Sequence, residues 1–152
     1  MVSIETYKDS YKDDWNDFVD SSKNSTFLFN RNFMDYHSDR FEDFSLMVYD
    51  KSELIAILPL NIIKNKVYSH QGLTYGGLIV KNNIKFQKFL ELFTQILKYL
   101  NKKSVDKLFI KQIPLIYNSN FNGELDYLSF MTGGNIYRRD IISVIDMQNS
   151  FK

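Results

Sequence analysis

Apolar and polar positions along the chain change period several times, and each change marks a new element. Val2 to Tyr7 alternates, with Val2 and Ile4 on one side, which predicts a short first strand. Asp9-Ser10 then offers an N-cap for a helix whose apolar residues are Tyr11, Trp15, Phe18 and Val19. Their spacing puts them on one stripe, with Asp13, Asp14, Asp17 and Asp20 turned outward. Asn24-Ser25-Thr26 breaks that helix, and Phe27-Leu28-Phe29 reads as extended. Asn30 caps a second helix carrying Phe33, Met34, His37 and Arg40. Phe44 to Tyr49 reads as a strand, and Asp50-Lys51-Ser52-Glu53 turns it into a second run, Leu54 to Ile63. Pro59 inside that run predicts a bulge or a frayed edge, because proline donates nothing to a ladder.

Lys64-Asn65-Lys66 turns the chain again into Val67-Tyr68-Ser69-His70. Gln71 to Gly77 follows and holds three of the six glycines, and Leu78-Ile79-Val80 is a short apolar piece. Asn82 or Asn83 caps the strongest helical pattern: Phe86, Phe89, Leu90, Phe93, Ile96, Leu97 and Leu100 share one face, with Lys102-Lys103 at the C-terminal end. Val105 to Ile113 reads as a buried strand ended by Pro114. Glu124 to Met131 is a helix stopped by Gly133-Gly134, and Asn135 to Met147 closes as a strand. The order β-α-α-β-β-β-α-β-α-β predicts a mixed α/β domain with a central antiparallel meander.

At 152 residues the chain is expected to be one domain, residues 1–152. Nineteen basic residues against 18 acidic ones argue against a nucleic-acid protein, and no DNA partner is expected, since such proteins carry a clear basic excess. With no cysteine, a disulfide scaffold, a thiolate nucleophile and a cysteine-ligated metal are excluded. The two histidines have no ligand spacing between them, so no metal is expected. The start shows no signal peptide, and the longest apolar run, residues 54–63, falls short of the ~20 needed for a membrane span. A soluble, cytoplasmic protein is expected. Aromatic residues at 16% are dense enough to fill a core and also to line a ligand groove.

The element order resembles the GNAT acyltransferase fold. Five strings narrow the likeness: Trp15-Asn16-Asp17-Phe18-Val19, Ser25-Thr26-Phe27-Leu28, Arg31-Asn32-Phe33-Met34-Asp35-Tyr36-His37, Ser69-His70-Gln71-Gly72-Leu73-Thr74-Tyr75-Gly76-Gly77 and Tyr137-Arg138-Arg139-Asp140. They look like the N-terminal half of FemABX-like GNAT proteins, relatives of which occur in bacterial polysaccharide clusters. That resemblance implies transfer of an acyl group from acetyl-CoA or another acyl-CoA, or of an aminoacyl group from a charged tRNA, to an amine on a sugar, nucleotide-sugar or cell-wall precursor. It also implies a second lobe, because such proteins usually carry two GNAT-like domains. This chain would then be one half of such a protein, or one protomer of a homodimer. A non-catalytic substrate-binding or assembly lobe is the alternative.

Typical members hold the CoA pyrophosphate with Arg/Gln-x-x-Gly-x-Gly/Ala directly before a helix. Gln71 to Gly77 has the residue types but not the spacing, and Leu78 to Lys81 intervenes. The resemblance places Gln71, Gly72, Thr74, Gly76 and Gly77 toward the cofactor, although a tight turn is the plainer account of these glycines. His70 is either a base or a structural histidine tying the loop to backbone, and Tyr75 is a candidate proton donor. Arg31, Tyr36, His37, Tyr68 and Arg138 stand on the substrate side, the arginines as bidentate forks for phosphate or carboxylate. A salt bridge to Asp35, Asp39 or Asp140 is the alternative for the arginines.

Overall fold

The computed structural model describes residues 2–117, 123–141 and 143. β1 (Val2–Thr6) is followed by α1 (Lys12–Ser21), α2 (Arg31–Met34), β2 (Leu46–Asp50) and β3 (Glu53–Leu58). Then come β4 (Asn61–Ile63), β5 (Lys66–Tyr68), β6 (Ile79–Val80), α3 (Phe86–Lys102), β7 (Lys107–Phe109) and α4 (Glu124–Met131). One sheet runs β1-β2-β3-β6 and the other β4-β5-β7. All pairs are antiparallel except β5 with β7, which is parallel. The meander expected in the middle is therefore present, and Pro59 stands where β3 ends and β4 has yet to begin.

Strand alternation explains why helices cover both faces. Leu46, Val48, Ala56, Leu58, Leu78 and Val80 point one way and pack on Phe89, Leu92, Phe93, Ile96 and Leu100 of α3. Met47, Ile57 and Ile79 point the other way, onto Trp15, Phe18 and Val19 of α1 and onto Leu28, Phe29 and Met34. Both faces are dry, so these strands read as nearly continuous apolar runs in the sequence. On the α1 side, Trp15 Nε1 donates to the Phe29 carbonyl at 2.8 Å, which satisfies the one polar atom of a fully buried indole.

Several expectations give way for identifiable reasons. Asn30 does cap α2, its side chain accepting from Asn32 N at 3.0 Å. The helix nevertheless lasts only one turn before a 3-10 turn at Asp35–His37. Its apolar stripe stops at Met34, and Arg40 stays two-thirds exposed. Phe27–Phe29 is a 3-10 turn, not an extended run. Neither Asn82 nor Asn83 caps α3. Asn82 Nδ2 donates instead to the Ser21 carbonyl at 2.7 Å, Asn83 sits at φ +60°, and Lys85 holds the cap position without a side-chain bond. The strand expected over 105–113 is only β7. Residues 135–141, expected to begin the closing strand, are irregular and exposed, and residues 142 and 144–147 lie outside the described residues.

Phe89 is 1% exposed at the centre of the α3 face. Phe89→Ala is expected to cost about 3–5 kcal/mol, read as a lower urea midpoint with an unchanged slope.

Candidate functional site

The parallel pair β5–β7 is the place where the sheet opens. Pairing runs Lys66 to Lys107, Val67 to Leu108 and Tyr68 to Phe109, and Ser69 N still donates to the Phe109 carbonyl at 2.8 Å. There the chain leaves the sheet, makes an excursion over residues 70–75, and returns. Both ends of the excursion meet Lys111: its N–H donates to Ser69 Oγ at 2.7 Å, and its carbonyl accepts from Gly76 N at 2.7 Å. The neck is so tight that a Cβ on Gly76 would overlap the Ser69 carbonyl. Gly77, at φ +112°, turns the chain into β6.

Inside the excursion, Asn61, itself fully buried, grips Gln71 twice. Asn61 Nδ2 donates to Gln71 Oε1 at 2.8 Å, and Gln71 N donates to Asn61 Oδ1 at 2.7 Å. Leu73 inserts into the α1-side core, and Lys111 Nζ donates to the Leu73 carbonyl. Burial pushes the Lys111 amine below its ordinary value of 10.5. Gly76 thus serves a close backbone approach and Gly77 a positive φ, the turn-forming account of these two glycines.

Beyond the neck, β6 and residues 112–115 diverge. Asn24, Gly76, Leu78, Gln112, Ile113, Leu115, Leu125 and Asp126 line the resulting cleft, with α4 as one wall. Its free volume of about 20 Å³ is room for about one water, so the cleft is narrow as it stands. At the rim, Lys23 Nζ is 3.0 Å from Glu124 Oε1 at the start of α4, and Glu124 Oε2 is buried without a hydrogen bond among the described residues.

On the other side of residues 24–26 lies a broad groove of about 570 Å³. Val19, Phe27 and Phe33 give it apolar walls; Asp20, Ser25, Thr26, Asn30 and Asn32 give it polar ones. Phe27 is 69% exposed, and its ring meets that of Phe33 edge to face with centroids 5.3 Å apart. Two exposed phenyl rings beside a carboxylate and several amides suit an amphipathic ligand with flat apolar faces.

The residues expected to form a site divide among these places. Tyr75 is half-buried, donates to Thr26 Oγ1 at 3.2 Å and stacks on Tyr117, which sets its phenol beside the groove. Thr74 and Gln71 are exposed on the excursion. His70 is buried, at φ +56° with its ring against Phe41 at 5.7 Å, which suits the structural role. Arg31 is 1% exposed, its guanidinium between the rings of Tyr7, at 3.4 Å, and Trp15, at 4.1 Å. Asp43 pairs with it, and no ligand reaches it there. Tyr68 stacks on Phe109, and Tyr36 is exposed on its 3-10 turn. Arg138 is exposed and bound to Asp140 at 2.9 Å, the salt bridge weighed for it. The His37 side chain lies outside the described residues. Among the described residues no three His, Asp or Glu side chains group to hold a metal ion, and no helix is long and apolar enough to cross a membrane. Asn24, Glu124, Lys111 and the Phe27–Phe33 pair were not singled out in the sequence. Of these, only the phenylalanines carried a signal, as apolar residues flanking the Asn30 cap.

Comparison with solved structures identifies the fold. The fold is that of the GNAT N-acetyltransferases. The aminoglycoside N-acetyltransferase AAC(6')-Iy in complex with CoA aligns over 95% of this chain and 95% of its own, at 9% identity and TM-score 0.59. PaiA N-acetyltransferase from Thermoplasma acidophilum, in complex with coenzyme A, aligns over 88% and 89%, at 14% identity and TM-score 0.50. The ribosomal-protein-S18-alanine N-acetyltransferase from Escherichia coli aligns over 71% of this chain at 12% identity and TM-score 0.50, and the chain spans 64% of that enzyme. No family model matches the chain, and no curated protein matches it.

Immediately before α3, where the resemblance to GNAT proteins implies a pyrophosphate site, this chain has Lys81-Asn82-Asn83-Ile84-Lys85 and no glycine.

Two outcomes follow from the neck. Gly76→Ala is expected to destabilise by about 2 kcal/mol or more, read by urea denaturation, because the Ser69 backbone has to move. The lowered Lys111 value means that the unfolded chain binds more protons than the folded one as pH approaches 10.5, so this residue makes stability rise with pH there. Lys111→Met should flatten that rise in Tm between neutral and alkaline pH.

Proposed function

We propose that this domain takes part in N-acyl transfer from an acyl-CoA thioester to the amine of a sugar, nucleotide-sugar or cell-wall precursor, in the manner of FemABX-like proteins. The observation that carries the proposal is the divergence of β6 from residues 112–115 just past the parallel β5–β7 pair. Strand groups facing a gap of that kind suit pairing with an amide-bearing donor, and the neighbours of the same fold include two named as CoA complexes.

In this proposal the acceptor lies in the groove walled by Phe27 and Phe33. Their rings cover an apolar sugar face while Asn30, Asn32 and Asp20 meet its hydroxyls and amines. Tyr75, held by Thr26 at the groove, is the side chain assigned to deliver a proton. His70 keeps the excursion shaped. Lys81, Lys85 and the N-terminus of α3 are the groups assigned to the phosphates, by charge and helix dipole without glycine.

The competing proposal, a substrate-binding or assembly lobe without activity of its own, draws support from the same glycine-free connection and from the narrow cleft. Incubating the chain with acetyl-CoA and an amino sugar, with mass spectrometry of the product, separates them. Acyl transfer predicts an N-acetylated sugar, a roughly 10²-fold lower kcat in Tyr75→Phe, and a raised KM for the sugar in Phe27→Ala. Sugar binding without product, lost in Phe27→Ala, would favour the lobe.

A further inference from the structure

Hydrogen-bond directions alternate along β6. Lys81 N donates to the Ile55 carbonyl at 2.9 Å, toward β3. The groups of Leu78 and Val80 therefore face the opposite way, toward the cleft. In a sheet that opens at this point such groups would be bare, yet three of them are taken. Asn24 Nδ2 donates to the Leu78 carbonyl at 2.9 Å, and Val80 N donates to Asn24 Oδ1 at 2.9 Å. Lys23 N donates to the Val80 carbonyl at 2.9 Å, and Ser22 bridges to Lys81.

A carboxamide side chain carries the same donor and acceptor as a peptide unit. Asn24, 3% exposed, thus stands on the strand edge where an incoming amide would stand. The segment is also latched to the opposite wall, because Lys23 Nζ holds Glu124 at the start of α4. Leu125 in turn packs over Gly77, where even an added Cβ would sit 3.7 Å from Leu125 Cδ2.

We propose that residues 22–24 form an autoinhibitory strap. Asn24 occupies the amide-pairing positions of β6, and an amide-bearing donor arm binds only when Asn24 leaves them. This rests on the acyl-transfer proposal, since the arm displaced for is that of CoA. The strap explains how the fold of a CoA enzyme coexists with a cleft of about 20 Å³. In this proposal competition is direct, because the arm would pair with the Leu78 and Val80 groups that Asn24 holds, and the strap lowers apparent affinity by the fraction of time it is closed.

Calorimetry with CoA on the full chain tests it, alongside hydrogen exchange at the Lys23 amide. Asn24→Ala is expected to bind CoA at least tenfold more tightly than the native chain. Glu124→Gln, which loosens the latch while leaving Asn24 in place, should give a smaller gain and covers the case in which Asn24→Ala folds poorly. In the native chain, saturating CoA should speed exchange of the Lys23 amide as it leaves Val80. Equal CoA affinity in native and variant chains, with the Lys23 amide still protected, overturns the strap and leaves acyl transfer standing. Weaker binding in both variants also overturns it. No CoA binding by any of the three chains overturns the strap and the acyl-transfer proposal together.

Discussion

The structure turns on the junction at which Ser69 and Gly76 both bond to the backbone of Lys111. A parallel pair cannot be closed by a tight turn, so β5 and β7 need α3 between them to meet. At Ser69 that pairing ends, and the chain has to find partners for the peptide groups it removes from the ladder. It does so locally: Ser69 Oγ replaces a backbone acceptor for Lys111, and Gly76 restores a backbone donor to the same residue. The excursion thereby leaves the sheet and rejoins it at one point. The two candidate sites are arranged around that point, with the groove beyond Tyr75 on one side and the cleft beyond Gly77 on the other.

The fold was legible where a pattern was long. The α3 stripe and the paired apolar runs around Asp50–Glu53 survive in the structure because periodicity over many residues outweighs any single position. Short elements were not legible. Asn30 signalled a helix start correctly, but nothing near it encoded that Arg31 would turn inward between Tyr7 and Trp15 and let the helix lapse after one turn. A buried arginine resembles a surface one in sequence, since only tertiary partners distinguish them.

The same limit applies to the site. Gln71 to Gly77 was conspicuous because glycine is conspicuous, yet what demands glycine at position 76 is the Ser69 carbonyl behind it, seven residues back in the chain. Asn24, by contrast, sat in what read as a helix-breaking segment, where asparagine is commonplace. Its role depends on Leu78 and Val80, 54 and 56 residues away. Local composition therefore drew attention to the loop, whereas the groups that shape the cleft come from long-range pairing.

That pairing also bears on how Arg31 and Asn24 relate. Arg31, with Nε and Nη2 buried and unbonded among the described residues, gains from ring stacking and from Asp43 what it lacks in hydrogen bonds. It ties α2 to Tyr7, just past β1, and to Trp15 of α1, and α1 is also held by the Trp15 bond to Phe29. With both helices anchored, residues 22–30 are tied at both ends. For residues 22–24 to open, the bonds to be exchanged are the three on the β6 edge. An incoming amide that remakes two of those bonds leaves little net hydrogen-bond loss, because donor and acceptor are replaced in kind. The strap is thus tight enough to fill the cleft in the absence of ligand and chemically suited to be replaced by one.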